Sequence, residues 1–136
     1  MKICIIVSNF YPEISNKLVE GAKATLKKNN ITKFKLFKVP GTYEIPVLVS
    51  NLVDSFDAFI VLGCVIKGKT PHFDYICSSV FQSLSLITVK TKIPIGNGIL
   101  TCYNKKQAFE RADIKKGNKG GDAADAIVSV LKIIKQ

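Results

Sequence analysis

Apolar residues come along this chain in two alternating rhythms, short β-branched runs and longer stretches with a helical repeat, which predicts repeated βαβ units around a parallel sheet. Lys2 to Val7 is too continuously apolar for an edge strand, and Ile14, Leu18, Ala22 and Leu26 then mark one helical face. Lys33 to Val39 alternates lysine with Phe34, Leu36 and Val39, the pattern of a half-buried strand. The Pro40-Gly41 turn leads to a helix predicted from about Pro46 to Ser55, with Pro46 suited to a first helical turn. Ala58 to Val65 has the most buried pattern of all, and Ile76, Val80, Leu84 and Ile87 form the stripe of the helix that follows. A fourth strand is predicted from Ile93 to Leu100, where Gly96 and Gly98 suggest a bulge or a close backbone approach. Lys105 to Ala112 and Gly120 to Lys135 read as two closing helices separated by a Lys-Gly-Asn-Lys-Gly turn.

Four strands joined by right-handed helical crossovers make a three-layer αβα sandwich of the flavodoxin-like kind, with a four-stranded parallel sheet. Residues 1 to 136 read as one domain, since no linker, internal repeat or low-complexity tract interrupts the pattern. In such a sheet the loops at the strand ends meet along one edge. Those loops are Ser8 to Glu13, Pro40 to Glu44, Lys67 to His72 and, more loosely, Gly96 to Gly98.

Composition narrows the partners. An apolar fraction of 47% and a charged fraction of 22% are those of a globular protein. No apolar run approaches the roughly 20 residues that span a bilayer. The opening MKICIIVSNF is too short and early for a signal peptide, which favours the cytoplasm. Cys4, Cys64, Cys77 and Cys102 show no CxxC spacing, so neither a zinc site nor a disulfide framework is expected. The net charge of +10 comes almost wholly from scattered lysines, with Arg111 the sole arginine. Nucleic-acid surfaces favour arginine and stacking aromatics, so a solvated basic surface that attracts small anions is the better reading, and no nucleic-acid partner is expected. Arg111 gains interest from its isolation, because a guanidinium forks onto phosphate in a way that lysine cannot.

Candidate chemistry gathers at Gly63 to Tyr75, GCVIKGKTPHFDY. The only histidine, His72, follows a Gly-Lys-rich turn at the end of an apolar strand, the usual place for a small-molecule site in an open α/β sheet. Histidine is also the side-chain type best able to exchange protons both ways near neutral pH. Gly68, Lys69 and Thr70 offer backbone N–H groups, a cation and a hydroxyl ahead of a helix start, which suits an anion, although the GxxxxGK[ST] spacing of a P-loop is missing. Asp74 fits the first helical turn by charge alone. Phe10 and Tyr11 follow the first strand, where an aromatic could stack on a planar heterocycle; taken alone, such a residue is better read as folded back onto the core. VPGTYEIP, Val39 to Pro46, presents Glu44 at the mouth of the sheet, and Arg111, Lys115 and Lys119 form a basic rim broken in register by Gly117.

In this order and spacing, Phe10, VPGTYEIP at 39 to 46, LGCVIKGKTPHFDY at 62 to 75, and the ERA and GNKG pieces around Arg111 and Lys119 resemble the lumazine synthase family, essentially from Lys2 to the last helix. The resemblance implies condensation of 5-amino-6-(D-ribitylamino)uracil with 3,4-dihydroxy-2-butanone 4-phosphate, without metal or redox cofactor. It implies His72 as general acid/base and Phe10 stacked on the pyrimidine, with Thr42, Tyr43 and Glu44 on the pyrimidine edge and ribityl chain. Val65 and Ile66 would line the pocket, Lys69, Thr70 and Arg111 would take the phosphate, and Lys119 would lie beside the ribityl or pyrimidine portion. It further implies that Arg111 and Lys119 come from a neighbouring subunit, in pentamers that some members pack into icosahedral shells of sixty. Asn97 stands where many members carry an aromatic contributed across that interface. Many members also have an N-terminal extension that adds to a neighbour's sheet, whereas this chain begins almost at its first strand. Rival readings are an archaeal-type riboflavin synthase, to which the HFDY and GNKG segments fit poorly, and a non-catalytic flavin-binding or shell-forming relative.

Overall fold

The computed structural model describes residues 1–136. Four parallel strands, β1 (Ile3–Ser8), β2 (Phe34–Val39), β3 (Ala58–Ile66) and β4 (Ile95–Cys102), lie in the order β2-β1-β3-β4. The helices between and after them are α1 (Pro12–Lys28), α2 (Ile45–Leu52), α3 (His72–Thr91), α4 (Lys105–Ala112) and α5 (Lys119–Ile134). This is the expected three-layer αβα sandwich of the flavodoxin-like kind. No helix is long and apolar enough to cross a membrane.

Strand alternation builds two cores. Ile3, Ile5 and Val7 of β1, with Ile60, Leu62, Leu100 and Cys102, face α1, α4 and α5. Cys4 and Ile6, with Phe59, Val61 and Ile99, face Ile45 and Val49 of α2 and Val80 and Leu84 of α3. A strand buried on both faces is apolar at nearly every position, and all six residues of β1 are buried, Ile3 to Val7 apolar and only the terminal Ser8 polar. The edge strand β2 needs only one apolar face, hence its alternating lysines.

Boundaries move where local chemistry decides them. Pro94 has no N–H to give, and its carbonyl accepts from Phe59 N at 3.0 Å, so the β3–β4 ladder starts at Ile95 rather than Ile93 and runs on to Cys102. The helix after β2 ends at Leu52, and Val53–Ser55 tighten into a 3-10 turn. Gly96 and Gly98 make no bulge: the register from Phe59↔Ile95 to Ile66↔Cys102 is unbroken. They serve close approach instead, since a Cβ on Gly96 would stand 2.1 Å from the Ala123 carbonyl oxygen of α5. Residues 96 to 98 are therefore strand interior, not part of the loop edge.

Candidate active site

The strand order reverses direction between β1 and β3, and a crevice opens at the carboxyl ends of the strands beside that switch point. It has a volume of about 330 Å³ and is lined by Phe10, Tyr11, Gly41, Thr42, Tyr43, Cys64, Val65, Ile66, His72 and Ile76. Two strand-end connections, the end of β3 and the start of α3 supply these residues. The short β1–α1 connection carries Phe10, which is 68% exposed and stands edge-on to Tyr11 with ring centroids 4.9 Å apart. The reading of Phe10 as folded onto the core is therefore corrected: the half-buried Tyr11 takes that place, packed on the core and covered by Lys105, whose Nζ lies 5.5 Å from its ring and 3.6 Å from Glu13. With its neighbour holding the core, Phe10 presents an open face to the crevice.

The β2–α2 connection tightens into a 3-10 turn at Thr42–Glu44. Thr42 is buried there, Tyr43 is exposed, and Glu44 bends back toward Gly41, so that a Cβ on Gly41 would lie 3.1 Å from Glu44 Oε1. From β3, Val65 and Ile66 form the half-buried floor, and His72 begins α3 at the exposed rim, one position inside the helix rather than in the loop before it. Asp74 sits in the first turn of α3, as its charge suggests. Lys69 and Thr70 are exposed on the β3–α3 connection, and neither they nor Glu44 line the crevice.

The remaining predicted residues lie elsewhere. A second crevice, about 480 Å³, is lined by Phe81, Asn97, Ile99, Leu100, Thr101, Arg111, Gly117, Lys119 and Asp122. It shares no residue with the first. Arg111 closes the last turn of α4, and Lys119 opens α5 after Asn118, whose side chain caps that helix by accepting from Gly121 N at 3.3 Å. Asn97 lies in mid-strand opposite Val61, and its Oδ1 accepts from Ile99 N at 3.0 Å, satisfying an N–H on the outer edge of β4.

The thiols near these crevices are poor nucleophiles. Burial pushes the Cys64 thiol up to about 12, helped by the neighbouring Cys102. Burial also raises Cys102, opposed by the Arg111 guanidinium beside it. Sequence reasoning gave no role to Cys64, Ile76 or Phe81; their apolar character reads as core, and only the bend of each element toward a crevice distinguishes them.

A crevice over the switch point, floored by apolar side chains and edged by an aromatic face, a histidine and the Gly41–Tyr43 turn, is that of an α/β enzyme acting on a small organic molecule. The family is established by comparison: the 6,7-dimethyl-8-ribityllumazine synthase family model matches residues 1–135, and the chain belongs to that family of transferases in riboflavin biosynthesis.

Proposed function

We propose that the two crevices are halves of one active site, completed when the Arg111 side of one subunit docks against the His72 side of the next in a ring. The supporting observation is their separation: Phe10, Thr42, Tyr43, Val65, Ile66 and His72 gather in one crevice, while Asn97, Arg111 and Lys119 gather in another. A head-to-tail contact between identical subunits is the arrangement that brings two different patches together repeatedly and closes a ring. A homopentamer, alone or packed as a sixty-subunit shell, fits that logic. Four free cysteines suit a reducing cytoplasm.

In this reading the ribityl-substituted pyrimidine enters the first crevice. Phe10 stacks on its ring, Thr42, Tyr43 and Glu44 hold its edge and chain, and Val65 and Ile66 exclude water from beneath. Lys69, Thr70 and the N–H groups around Gly68 meet the phosphate of the four-carbon ketone, and Arg111 of the neighbouring subunit closes on it bidentately. The uracil amine adds to the ketone and loses water to give an imine. His72 takes a proton as phosphate leaves, and returns one when ring closure expels a second water. Holding two reactants in line supplies much of the acceleration, because the entropy of bringing them together is already lost on binding. Lys119 supports the ribityl or pyrimidine portion, and Asn97 offers an amide where stacking would otherwise occur.

Purified protein given both substrates should form fluorescent lumazine faster than the spontaneous reaction. A rate equal to the protein-free background overturns this reading.

A further inference from the structure

Beneath the first crevice, at the end of β1, lies a small polar knot centred on Ser8, a residue that the chemistry above does not use. Ser8 is 1% exposed and does not line that crevice. Its hydroxyl accepts from Thr42 Oγ1 across 3.4 Å, and Thr42 is itself 7% exposed. Its carbonyl accepts from the buried Ser15 Oγ at 2.6 Å. Ser8 also pairs with Val39 in the β1–β2 register, and Asn9 N donates to the Val39 carbonyl at 2.9 Å. One residue therefore anchors two loops: through Ser15 the segment that carries Phe10, and through Thr42 the turn that carries Tyr43 and Glu44.

Gly63 of β3 makes room for this knot. A Cβ at that position would stand 2.5 Å from Ser8 Oγ and 3.1 Å from Thr42 Oγ1. The Ser8–Thr42 contact is long for a hydroxyl pair, so packing over Gly63 contributes to holding it as well as the bond. Two hydroxyls amid apolar strands are costly to bury unless they answer one another, which selects one position of the turn over others.

We propose that the Ser8 hydroxyl is a positioning group for the pyrimidine half of the site, acting through the Thr42 turn without touching substrate. The proposal rests on the assignment of the first crevice to the ribityl uracil. Removing the hydroxyl frees the Thr42 turn while the phosphate loop, on the β3–α3 connection, keeps its own supports. Affinity for the uracil should fall, and use of the ketone phosphate should not.

The test is calorimetric binding of 5-amino-6-(D-ribitylamino)uracil alone, without turnover, to the native protein, Ser8→Ala, Thr42→Val and the double variant. Ser8→Ala should weaken binding about tenfold, the effect of leaving one buried hydroxyl unanswered. The same change in the Thr42→Val background should cost less than about twofold, because both partners are then apolar. Ser8→Cys, close in shape but a weak hydrogen-bonding partner, should follow Ser8→Ala and serves if that variant fails to fold. In steady state, KM for the uracil should rise in Ser8→Ala with KM for the ketone phosphate unchanged. Equal loss in both backgrounds, or parallel rises in both KM values, overturns the positioning role. Native affinity in Ser8→Ala also overturns it, while leaving the crevice assignment intact. Failure of the native protein itself to bind the uracil overturns the crevice assignment and the proposal with it.

Discussion

His72 and Arg111 line different crevices of the same chain, and no residue lines both. The histidine proposed to move protons and the sole arginine, proposed to hold phosphate, thus line separate crevices within one subunit. In the proposed reaction both groups reach one phosphorylated molecule only when a second copy contributes its Arg111 side.

Arg111→Ala should therefore act on one substrate more than the other. The loss of a bidentate phosphate contact should raise KM for the ketone phosphate at least about tenfold and change affinity for the ribityl uracil by less than about threefold. Steady-state kinetics with each substrate varied in turn will show it. An equal effect on both substrates contradicts a phosphate role.

His72→Gln should slow turnover by about a hundredfold or less and leave lumazine formation measurable above background, since orientation persists when proton transfer is lost. The assay should be run on protein whose mass in solution matches the native assembly. Complete inactivity in such a variant would show that proton transfer, not positioning, dominates.

The buried thiols predict an alkaline weakness. Burial pushes both Cys4 and Cys64 up to about 12, so these groups stay protonated in the fold while the unfolded chain ionises them near 9. Their contribution is whole below about pH 9 and is lost as pH rises from there toward 12, by about 1.4 kcal/mol per pH unit for each thiol. Denaturant titrations at pH 8, 9 and 10 should show the fall, and Cys4→Ala with Cys64→Ala should make it shallower. An unchanged pH slope in that double variant contradicts the argument. Alkylation at pH 8 should reach half-buried Cys77 before Cys4, Cys64 or Cys102.

Acid acts at another point. Lys2 N donates to Asp57 Oδ2 at 2.6 Å, and this bond, with Lys135 at 3.8 Å, holds the Asp57 carboxyl below its ordinary value. A lowered carboxyl contributes above the unfolded value near 4 and loses that contribution as pH falls through its folded value. The carboxylate is well exposed, so solvent screening keeps the effect under about 1 kcal/mol. Asp57→Asn should reduce the difference in stability between pH 6 and pH 3, and an unaltered difference removes Asp57 as its source.

Periodicity carried most of the architecture because each strand and helix faces its own core, so that period and burial coincide in β1, β3, α1 and α5. It failed where backbone chemistry outranks side-chain pattern. Pro94 shifted the start of β4, and at Gly96 and Gly98 bulge and close approach stayed open alternatives because a glycine's packing partner, here Ala123 on α5, is remote in sequence. Phe10 and Tyr11 are adjacent aromatics with opposite fates, decided by which one the entry angle of α1 turns onto the core. Residues of the first crevice were legible because strand-end loops converge by topology. Asn97 was not placed correctly by the same logic, since it lies in mid-strand and reaches its crevice across the sheet's outer edge. Ser8 gave no signal at all; its role depends on the juxtaposition of β1, the Thr42 turn and Gly63.

The most direct measurement of the shared site is activity after mixing two crippled subunits. One carries Val65→Trp, which fills the first crevice and spares the second; the other carries Arg111→Ala with Lys119→Ala, which empties the second and spares the first. Each alone should be nearly inactive. Unfolded together and reassembled in equal amounts, they should recover lumazine formation at about a quarter of the sites, those where an intact first crevice meets an intact second one from its neighbour. Activity no greater than the sum of the two separate variants, in assemblies shown by mass to contain both, contradicts a site built between subunits.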